Sequence, residues 1–201
     1  MKVLFLTNNK NTAPLVKFLR KKAEEEVVVC ANPVSGGTLE DISPDIVISY
    51  NYKHIIRQEA IDAMSGRIIN LHISYLPMNR GYDPNFWSFM NNTKKGFTVH
   101  LVDAGINTGD VLMQHDLRFN EKEETLMTSY KQLHKAMLKS FAFNWKRIRG
   151  FDLIALPQRG PSSLHYKKEL LKVKEHFGNE LWTTPISELK KQIIELKLLE
   201  S

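Results

Sequence analysis

Short apolar runs alternate with helix-like segments along the first 70 residues, and this alternation constrains the fold more than any other feature. Each run is rich in Val, Ile and Leu and has the length of a buried strand. Pro14 and the amphipathic segment that follows it predict a helix between the first two runs. Because strands that alternate with helices form parallel sheets, the sequence predicts an α/β fold, with an open, mainly parallel Rossmann-like sheet flanked by helices. The predicted strands are Lys2–Thr7, Val27–Cys30, Ile46–Ser49 and Ile68–Leu71.

The same kind of pattern continues to about residue 150. The apolar residues of its last long helix recur at helical spacing, which indicates a stripe that faces the core. We predict a core domain over residues 1–150 and a short C-terminal extension over residues 151–201, with an extended segment at Leu164–Tyr166 and an amphipathic helix from Ser187. The other predicted elements are a turn-rich stretch at Asn32–Gly37, helices at Ile55–Met64 and Phe86–Met90, strands at Phe97–Val102 and Val111–Gln114, and the long helix opened by Glu121–Glu124.

Composition excludes several classes of protein. No apolar run in the 201 residues approaches the roughly 20 needed to span a bilayer, so we expect a soluble, cytoplasmic protein with no membrane partner. Cys30 is the one cysteine, which excludes an intramolecular disulfide framework, and the seven histidines lack metal-binding spacings, so no metal is expected. The net charge of +6 suits nucleic acid or small anionic ligands. No five consecutive basic residues occur, which favours small ligands and no nucleic-acid partner.

Polar residues at the end of the fourth strand form the first candidate site. Ligands of open α/β sheets bind outside the carboxyl ends of the strands, where Asn70 and His72 lie. Residues two apart on a strand share a face, so an amide donor would stand beside an imidazole. Such a pair can stabilise an oxyanion and move a proton, although the two side chains can equally serve local backbone groups. The loop Thr7–Asn11 lacks the glycine pattern of dinucleotide or nucleoside triphosphate sites.

Two motifs of this chain resemble the signatures of folate-dependent formyltransferases. The first is Asn70-Leu71-His72-Ile73-Ser74-Tyr75-Leu76-Pro77 with Arg80-Gly81, and the second is Asp103-Ala104-Gly105-Ile106-Asn107-Thr108-Gly109-Asp110. Pro44–Ile56 is similar to the strand and loop that receive the pterin ring in that family. The resemblance spans roughly residues 1–150. It implies transfer of a formyl group from 10-formyl-tetrahydrofolate to a primary amine, and it implies that Ser49, Tyr50, Ile55, Ile56, Asp103 and Ile106 bind the folate.

The resemblance also implies three catalytic positions. Asn70 and His72 match the residues that stabilise the tetrahedral intermediate, while Asn107 stands where the family has an aspartate that orients the histidine. Asparagine is neutral and cannot stabilise an imidazolium as a carboxylate does. Three explanations stay open: a substitution made to trap a complex, a slow enzyme, and a catalytically impaired protein that binds folate or a nucleotide sugar. We expect Asn107→Asp to raise formyl transfer at least about tenfold.

Within the family, the sugar N-formyltransferases, which act on nucleotide-linked amino sugars, are the most similar branch. Residues 151–201 carry a net charge of only +1 and are too few for the tRNA-binding domain of methionyl-tRNA formyltransferases. The first loop lacks the glycines of glycinamide ribonucleotide formyltransferases, although transfer to that or another small amine remains an alternative. The extension is expected to shape a homodimer contact or the sugar site. The predicted substrate-binding residues are Lys10, Arg80, Gly81, Tyr82, Pro84 and Trp87.

Overall fold

A six-stranded sheet is the central element of the structure, a computed structural model that describes residues 1–199. Glu200 and Ser201, the last residues of the predicted extension, lie outside the described residues. The sheet contains β1 (Lys2–Leu6), β2 (Glu26–Cys30), β3 (Ile46–Tyr50), β4 (Ile68–His72), β6 (Lys95–Leu101) and β7 (Val111–Leu117), and β5 (Arg80–Gly81) and β8 (Leu164–His165) form a separate pair. The order is β2-β1-β3-β4-β6-β7. The first four strands run parallel and β6 is antiparallel to β4, which confirms the predicted open, mainly parallel sheet.

Eight α-helices are described within residues 1–199, and none of them is long and apolar enough to cross a membrane. Most were predicted to within a few residues of their bounds. The helices are α1 (Ala13–Lys21), α2 (Gly36–Ile42), α3 (Gln58–Met64), α4 (Pro84–Met90), α5 (Leu126–Arg149), α6 (Leu171–Phe177), α7 (Glu180–Thr183) and α8 (Ile186–Glu195).

The helices differ from the predictions in a few places. A turn was predicted at 32–37, but α2 begins there because Ser35 and Thr38 form a capping box, in which the Ser35 hydroxyl accepts from the Thr38 amide at 3.2 Å. The helix predicted from Ile55 begins instead at Gln58, since Ile55 is 76% exposed and finds no core to pack against. Helices α6 and α7 were not predicted.

The first of two compact units comprises Met1–His72, Thr98–Gln114 and Met137–Gln158. Strands β1 and β3 lie in the middle of its sheet, and one face of these strands packs against α2 and α3 in a continuous apolar cluster. Glu25 is buried and accepts from the Trp145 indole N–H at 3.1 Å and from the Arg149 guanidinium at 2.6 Å. A buried carboxylate is stable only when it is paired, so these contacts fasten the end of α5 to the start of β2.

The second unit comprises Ile73–Phe97, His115–Ala136 and the residues from Arg159 onward. The aromatic side chains of α4 pack against α6, α7 and α8 in its apolar core. Strand β5 pairs in parallel with β8, so Gly81 lies opposite His165. A Cβ at Gly81 would lie 2.4 Å from the His165 carbonyl oxygen, which restricts this position to glycine. The predicted boundary at residue 150 stays a prediction, and residues 151–158 belong to the first unit.

Candidate active site

The loops after β1 and β3 are hydrogen-bonded to each other at the carboxyl edge of the sheet. The backbone N–H of Asn8 donates to the Asn51 carbonyl at 3.0 Å, and the Asn8 side-chain oxygen accepts from the Lys53 amide at 2.9 Å. The Asn51 side chain donates to the Asn11 side-chain oxygen at 3.1 Å. Strand β2 lies on one side of β1 and β3 lies on the other side. Ligands of α/β sheets bind at such a switch point in the strand order.

The next strand of the sheet, β4, carries two of the predicted catalytic residues. Asn70 is half-buried and His72 is 8% exposed. Because β6 runs antiparallel to β4, it places His100 opposite Asn70 and Thr98 opposite His72. The Asn70 side-chain nitrogen lies 3.1 Å from His100 Nε2, and the rings of His72 and His100 meet edge to face with centroids 6.5 Å apart.

Asn107, the third predicted catalytic residue, lies in the loop after β6 and contacts His100. Its side-chain nitrogen lies 3.4 Å from His100 Nε2, and its backbone is left-handed, with φ of 55°. Asparagine and aspartate tolerate that conformation better than other side-chain-bearing residues. Gln158, which follows α5 in the chain, donates to the carbonyl oxygens of Asn107 and Gly109 at 2.9 and 2.8 Å. These two hydrogen bonds hold the loop in place.

These four residues, Asn70, His72, His100 and Asn107, are called the strand-end site below. All belong to the first unit. The site combines two side-chain amides with two imidazoles and has no carboxylate among its members. An amide nitrogen carries two N–H groups, so Asn70 can donate one to His100 and direct the other at a substrate oxygen. An imidazole can accept and return a proton near neutral pH.

The predicted folate-binding residues also lie in the first unit, with different exposures. Ser49 and Tyr50 are buried in β3, and Ile56 is half-buried in the segment before α3. The Asp103 carboxylate accepts from the Gly105 amide at 3.1 Å and from the Thr108 hydroxyl, so it stabilises its own loop. Asp103 is exposed, as are Ile55 and Ile106, at 76% and 43%.

Lys10, a predicted substrate-binding residue, lines an open groove of about 600 Å³ in the first unit. The groove runs between α1 and the edge strand β2. Its floor is apolar, with Val16 and the half-exposed Val29, and its rim is basic, with Lys17 and Lys21 beside Lys10. The other five predicted substrate-binding residues, Arg80, Gly81, Tyr82, Pro84 and Trp87, lie in the second unit.

Trp87 is the centre of a polar and aromatic cluster within the second unit. Its ring stacks on His165, with centroids 4.0 Å apart and an interplanar angle of 8°. Lys174 donates to the Asp83 carboxylate at 2.6 Å and to the Tyr82 hydroxyl at 3.2 Å. These five residues, Tyr82, Asp83, Trp87, His165 and Lys174, are called the Trp87 cluster below. The Trp87 indole N–H is buried and has no hydrogen-bond partner among residues 1–199, so a ligand acceptor would satisfy it.

Two ionisable groups around this cluster have displaced pKa values. Burial acts to lower the pKa of Lys174, but the hydrogen bond and charge of Asp83 outweigh it and raise that pKa above its usual value. Burial acts to raise the pKa of Glu169, but the hydrogen bond from His165 and the Tyr166 amide outweigh it and lower that pKa. Both groups are therefore held in their charged forms.

Sequence reasoning missed four residues of these two sites, which are Asp83, His100, His165 and Lys174. His100 has a signal in the sequence, since Thr98 and His100 are polar residues two apart in an otherwise apolar strand and therefore share a face. His165 lies in the run Leu164-His165-Tyr166-Lys167-Lys168, which resembles the sugar N-formyltransferase branch, although no role was predicted for the histidine itself. Lys174 has no comparable signal, because it lies 91 residues from its partner Asp83. Within residues 1–199, no group of three or more His, Cys, Asp or Glu side chains is placed to hold a metal ion.

The chain resembles known proteins over most of its length. The model of the family described as formyl transferase matches residues 5–142. The solved structure of the formyltransferase PseJ from Anoxybacillus kamchatkensis has a TM-score of 0.82 to this chain at 33% identity, and the match covers 94% of this chain and 97% of that one. That protein was solved in complex with UDP-4,6-dideoxy-4-formamido-L-AltNAc and tetrahydrofolate. A sugar N-formyltransferase from a Shewanella species shares the fold, with a TM-score of 0.74 at 18% identity over 85% of this chain and 78% of that one.

Curated relatives that match by sequence include methionyl-tRNA formyltransferases. The protein of Clostridium beijerinckii is 30% identical over 143 residues, which are 71% of this chain and 40% of that protein. The match to the protein of Clostridium novyi is 39% identical over 84 residues, or 41% of this chain and 27% of that protein. The chain spans about half or less of the length of the curated relatives it matches.

Proposed function

This chain belongs to the formyl transferase family, and we propose that it transfers the formyl group of 10-formyl-tetrahydrofolate to the primary amine of a nucleotide-linked amino sugar. The observation that carries the proposal is the strand-end site. Two strands and one loop converge there, so that Asn70 and Asn107 both lie within hydrogen-bonding distance of His100, with His72 beside them. Both the folate and the amine are substrates, consumed in each turnover.

The chemistry of the site suits formyl transfer. When the amine nitrogen attacks the formyl carbon, a C–N bond forms and the carbonyl oxygen becomes an oxyanion. Asn70 donates an N–H to that oxyanion, and one such donor lowers the barrier by about 3–4 kcal/mol. His72 takes the proton that the amine nitrogen loses and returns it to N10 of the folate as the bond between N10 and the formyl carbon breaks. The products are tetrahydrofolate and a formamide.

Asn107 changes one part of this scheme. A carboxylate at that position would stabilise a protonated His72, whereas the neutral amide of Asn107 cannot. We propose a slower enzyme rather than one without activity, because the oxyanion donor and the proton carrier are both present in the sequence. The alternative, a catalytically impaired protein that binds folate and nucleotide sugar, would retain the binding surfaces and lose turnover.

Two observations favour an amino sugar as the acceptor. The similarity to a formyltransferase solved with a UDP-linked formamido sugar extends over 94% of this chain at 33% identity. Trp87 carries a buried indole N–H with no hydrogen-bond partner among the described residues, in a cluster that also holds Lys174, which is paired with Asp83. Aromatic and basic groups are the ones that bind the base and the diphosphate of a sugar nucleotide. The charge of +6 suits two polyanionic substrates.

Methionyl-tRNA is the second candidate acceptor, because the curated relatives that match by sequence act in its formylation by name. Glycinamide ribonucleotide and other small amines remain further alternatives.

The deciding experiment incubates the protein with 10-formyl-tetrahydrofolate and, in separate reactions, UDP- and dTDP-linked amino sugars, methionyl-tRNA and glycinamide ribonucleotide. Mass spectrometry of each acceptor should show one added formyl group on an amino sugar and on neither of the other two. Formylation of the tRNA alone would overturn the proposed substrate class, and binding without transfer would overturn the activity.

A further inference from the structure

His100 is the one side chain that contacts two of the predicted catalytic positions among the hydrogen bonds described above. It is 2% exposed and lies in β6, opposite Asn70 on β4. No motif of the sequence pointed to it. The inference below rests on the proposed function, because it assigns His100 a part in the same reaction.

The protonation of His100 follows from its contact with the backbone. Its Nδ1 lies 2.6 Å from the carbonyl oxygen of Leu101. A carbonyl oxygen only accepts hydrogen bonds, so Nδ1 carries the proton. In the neutral ring, Nε2 then has a lone pair and can only accept. The backbone therefore selects the tautomer of His100.

Two amides point at that single acceptor. The side-chain nitrogen of Asn70 lies 3.1 Å from Nε2, and that of Asn107 lies 3.4 Å from it. Since Nε2 accepts, each asparagine must present its N–H end rather than its oxygen to the ring. That choice fixes the orientation of each amide plane, and with it the direction of the second N–H of Asn70.

We propose that His100 is a positioning residue for formyl transfer, which holds the amides of Asn70 and Asn107 in their working orientations by accepting an N–H from each at Nε2. It does not touch the substrates itself. An aspartate at position 107 would have no N–H to give to Nε2, and its carboxylate would instead accept one from a protonated Nε2. The identity of residue 107 and the proton on Nε2 are thus linked.

Two variants at position 100 test the roles of Nδ1 and Nε2 separately. His100→Gln keeps an acceptor oxygen close to the place of Nε2 and gives up the contact with Leu101. His100→Asn keeps a donor close to the place of Nδ1 and gives up the acceptor. We expect His100→Asn to lower kcat about a hundredfold, the cost of a misplaced catalytic group, and His100→Gln to lower it less than about fivefold. The KM for 10-formyl-tetrahydrofolate should change less than about threefold in both, since His100 acts on the transition state through Asn70.

Ser129→Ala is the matched control. Ser129 is buried on α5 in the second unit, away from the strand-end site in sequence, and its hydroxyl accepts from the Asn85 side chain at 3.1 Å. This control should keep kcat within about twofold while losing a comparable amount of stability. The proposal is overturned if the glutamine and asparagine variants have equal kcat, if the asparagine variant is the faster one, or if the kcat of Ser129→Ala falls as far as that of His100→Asn.

A measurement without turnover separates this inference from the proposed function. In protein with ¹⁵N-labelled histidine and asparagine, Nε2 of His100 should resonate as an unprotonated nitrogen. The side-chain N–H groups of Asn70 and Asn107 should exchange slowly in the wild type and in His100→Gln, and faster in His100→Asn. Absence of formyl transfer together with this pattern would refute the activity alone, and a protonated Nε2 would refute the role of His100 alone.

Discussion

The strand-end site and the Trp87 cluster are built in opposite ways. The first lies on two neighbouring strands and one short loop, and its hydrogen bonds join neutral groups at a buried histidine. The second joins segments that are distant in sequence, and a half-buried ion pair holds it, since Lys174 donates to Asp83 from 91 residues away. Neutral donors on rigid strands suit the stabilisation of a transition state, while charged and aromatic groups suit recognition of an anionic ligand.

This contrast has a kinetic consequence. Changes in the strand-end site should act mainly on kcat, and changes in the Trp87 cluster mainly on KM or on stability. The following predictions test that division, beginning with the largest effect.

Removal of the amide of Asn70 should have the largest effect. We predict that Asn70→Ala lowers kcat about 100- to 1000-fold, the usual loss when one oxyanion donor is removed, with little change in either KM. Steady-state kinetics with 10-formyl-tetrahydrofolate and the amino sugar that the acceptor assay identifies will measure it. The matched control is Asn144→Ala on α5, where the side chain donates only to a backbone carbonyl at 2.9 Å. A comparable fall in that control would remove the distinction between the two asparagines.

A carboxylate at position 107 should raise the rate of formyl transfer. The left-handed backbone there accepts aspartate, so Asn107→Asp should fold and should raise formyl transfer at least about tenfold with little change in folate affinity. Single-turnover rates at saturating substrates give the comparison. Equal rates for the two proteins would show that the carboxylate has no part in this enzyme.

The unsatisfied indole of Trp87 should affect substrate binding. Trp87→Phe keeps an aromatic ring against His165 and removes the N–H, so the KM for the sugar nucleotide should rise about three- to tenfold while kcat stays within about twofold. Trp145→Phe is the matched control, because that indole already donates to Glu25 at 3.1 Å. The control should lose thermal stability and keep its KM. A rise in kcat or an unchanged KM for Trp87→Phe would place the ligand elsewhere.

The smallest effect concerns the ion pair of the Trp87 cluster. Because Asp83 raises the pKa of Lys174 above 10.5, the stabilisation is fully present below pH 10.5 and is lost as the pH rises through the higher folded-state pKa. Lys174→Met should therefore lower Tm by about 2–4 °C near pH 8, and the gap should close as the pH rises through the folded-state pKa of Lys174. Thermal melts across this range will show it. A gap that widens with pH would contradict the assigned direction of the pKa change.

Much of the strand-end site could be predicted from local sequence. Asn70 and His72 follow an apolar run and share a face by their spacing, and both features are local. His100 could not be assigned, because its role depends on the register between β4 and β6, and an apolar pattern does not determine which residues of two strands lie opposite each other. Helix α2 was missed because its start depends on a cap at Ser35 and its first two residues are glycines.

The Trp87 cluster was less predictable for a related reason. Tyr82 and Trp87 were identified through a motif, whereas their partner His165 belongs to an extension that was only expected to shape a dimer contact or the sugar site. No pattern pointed to Lys174. Contacts over such separations depend on the pairing of β5 with β8, two strands of two residues each. Elements this short leave almost no periodicity in a sequence.

Gln158 links the geometry of the Asn107 loop to a residue that is added to the chain much later. All four residues of the strand-end site have been translated by position 107, yet the two hydrogen bonds to this loop come from a side chain 51 residues after Asn107 and 49 residues after Gly109. A nascent chain that ends after α5 would contain both signature motifs and still lack these two bonds. The loop is therefore expected to reach its final geometry only after residue 158 has been added.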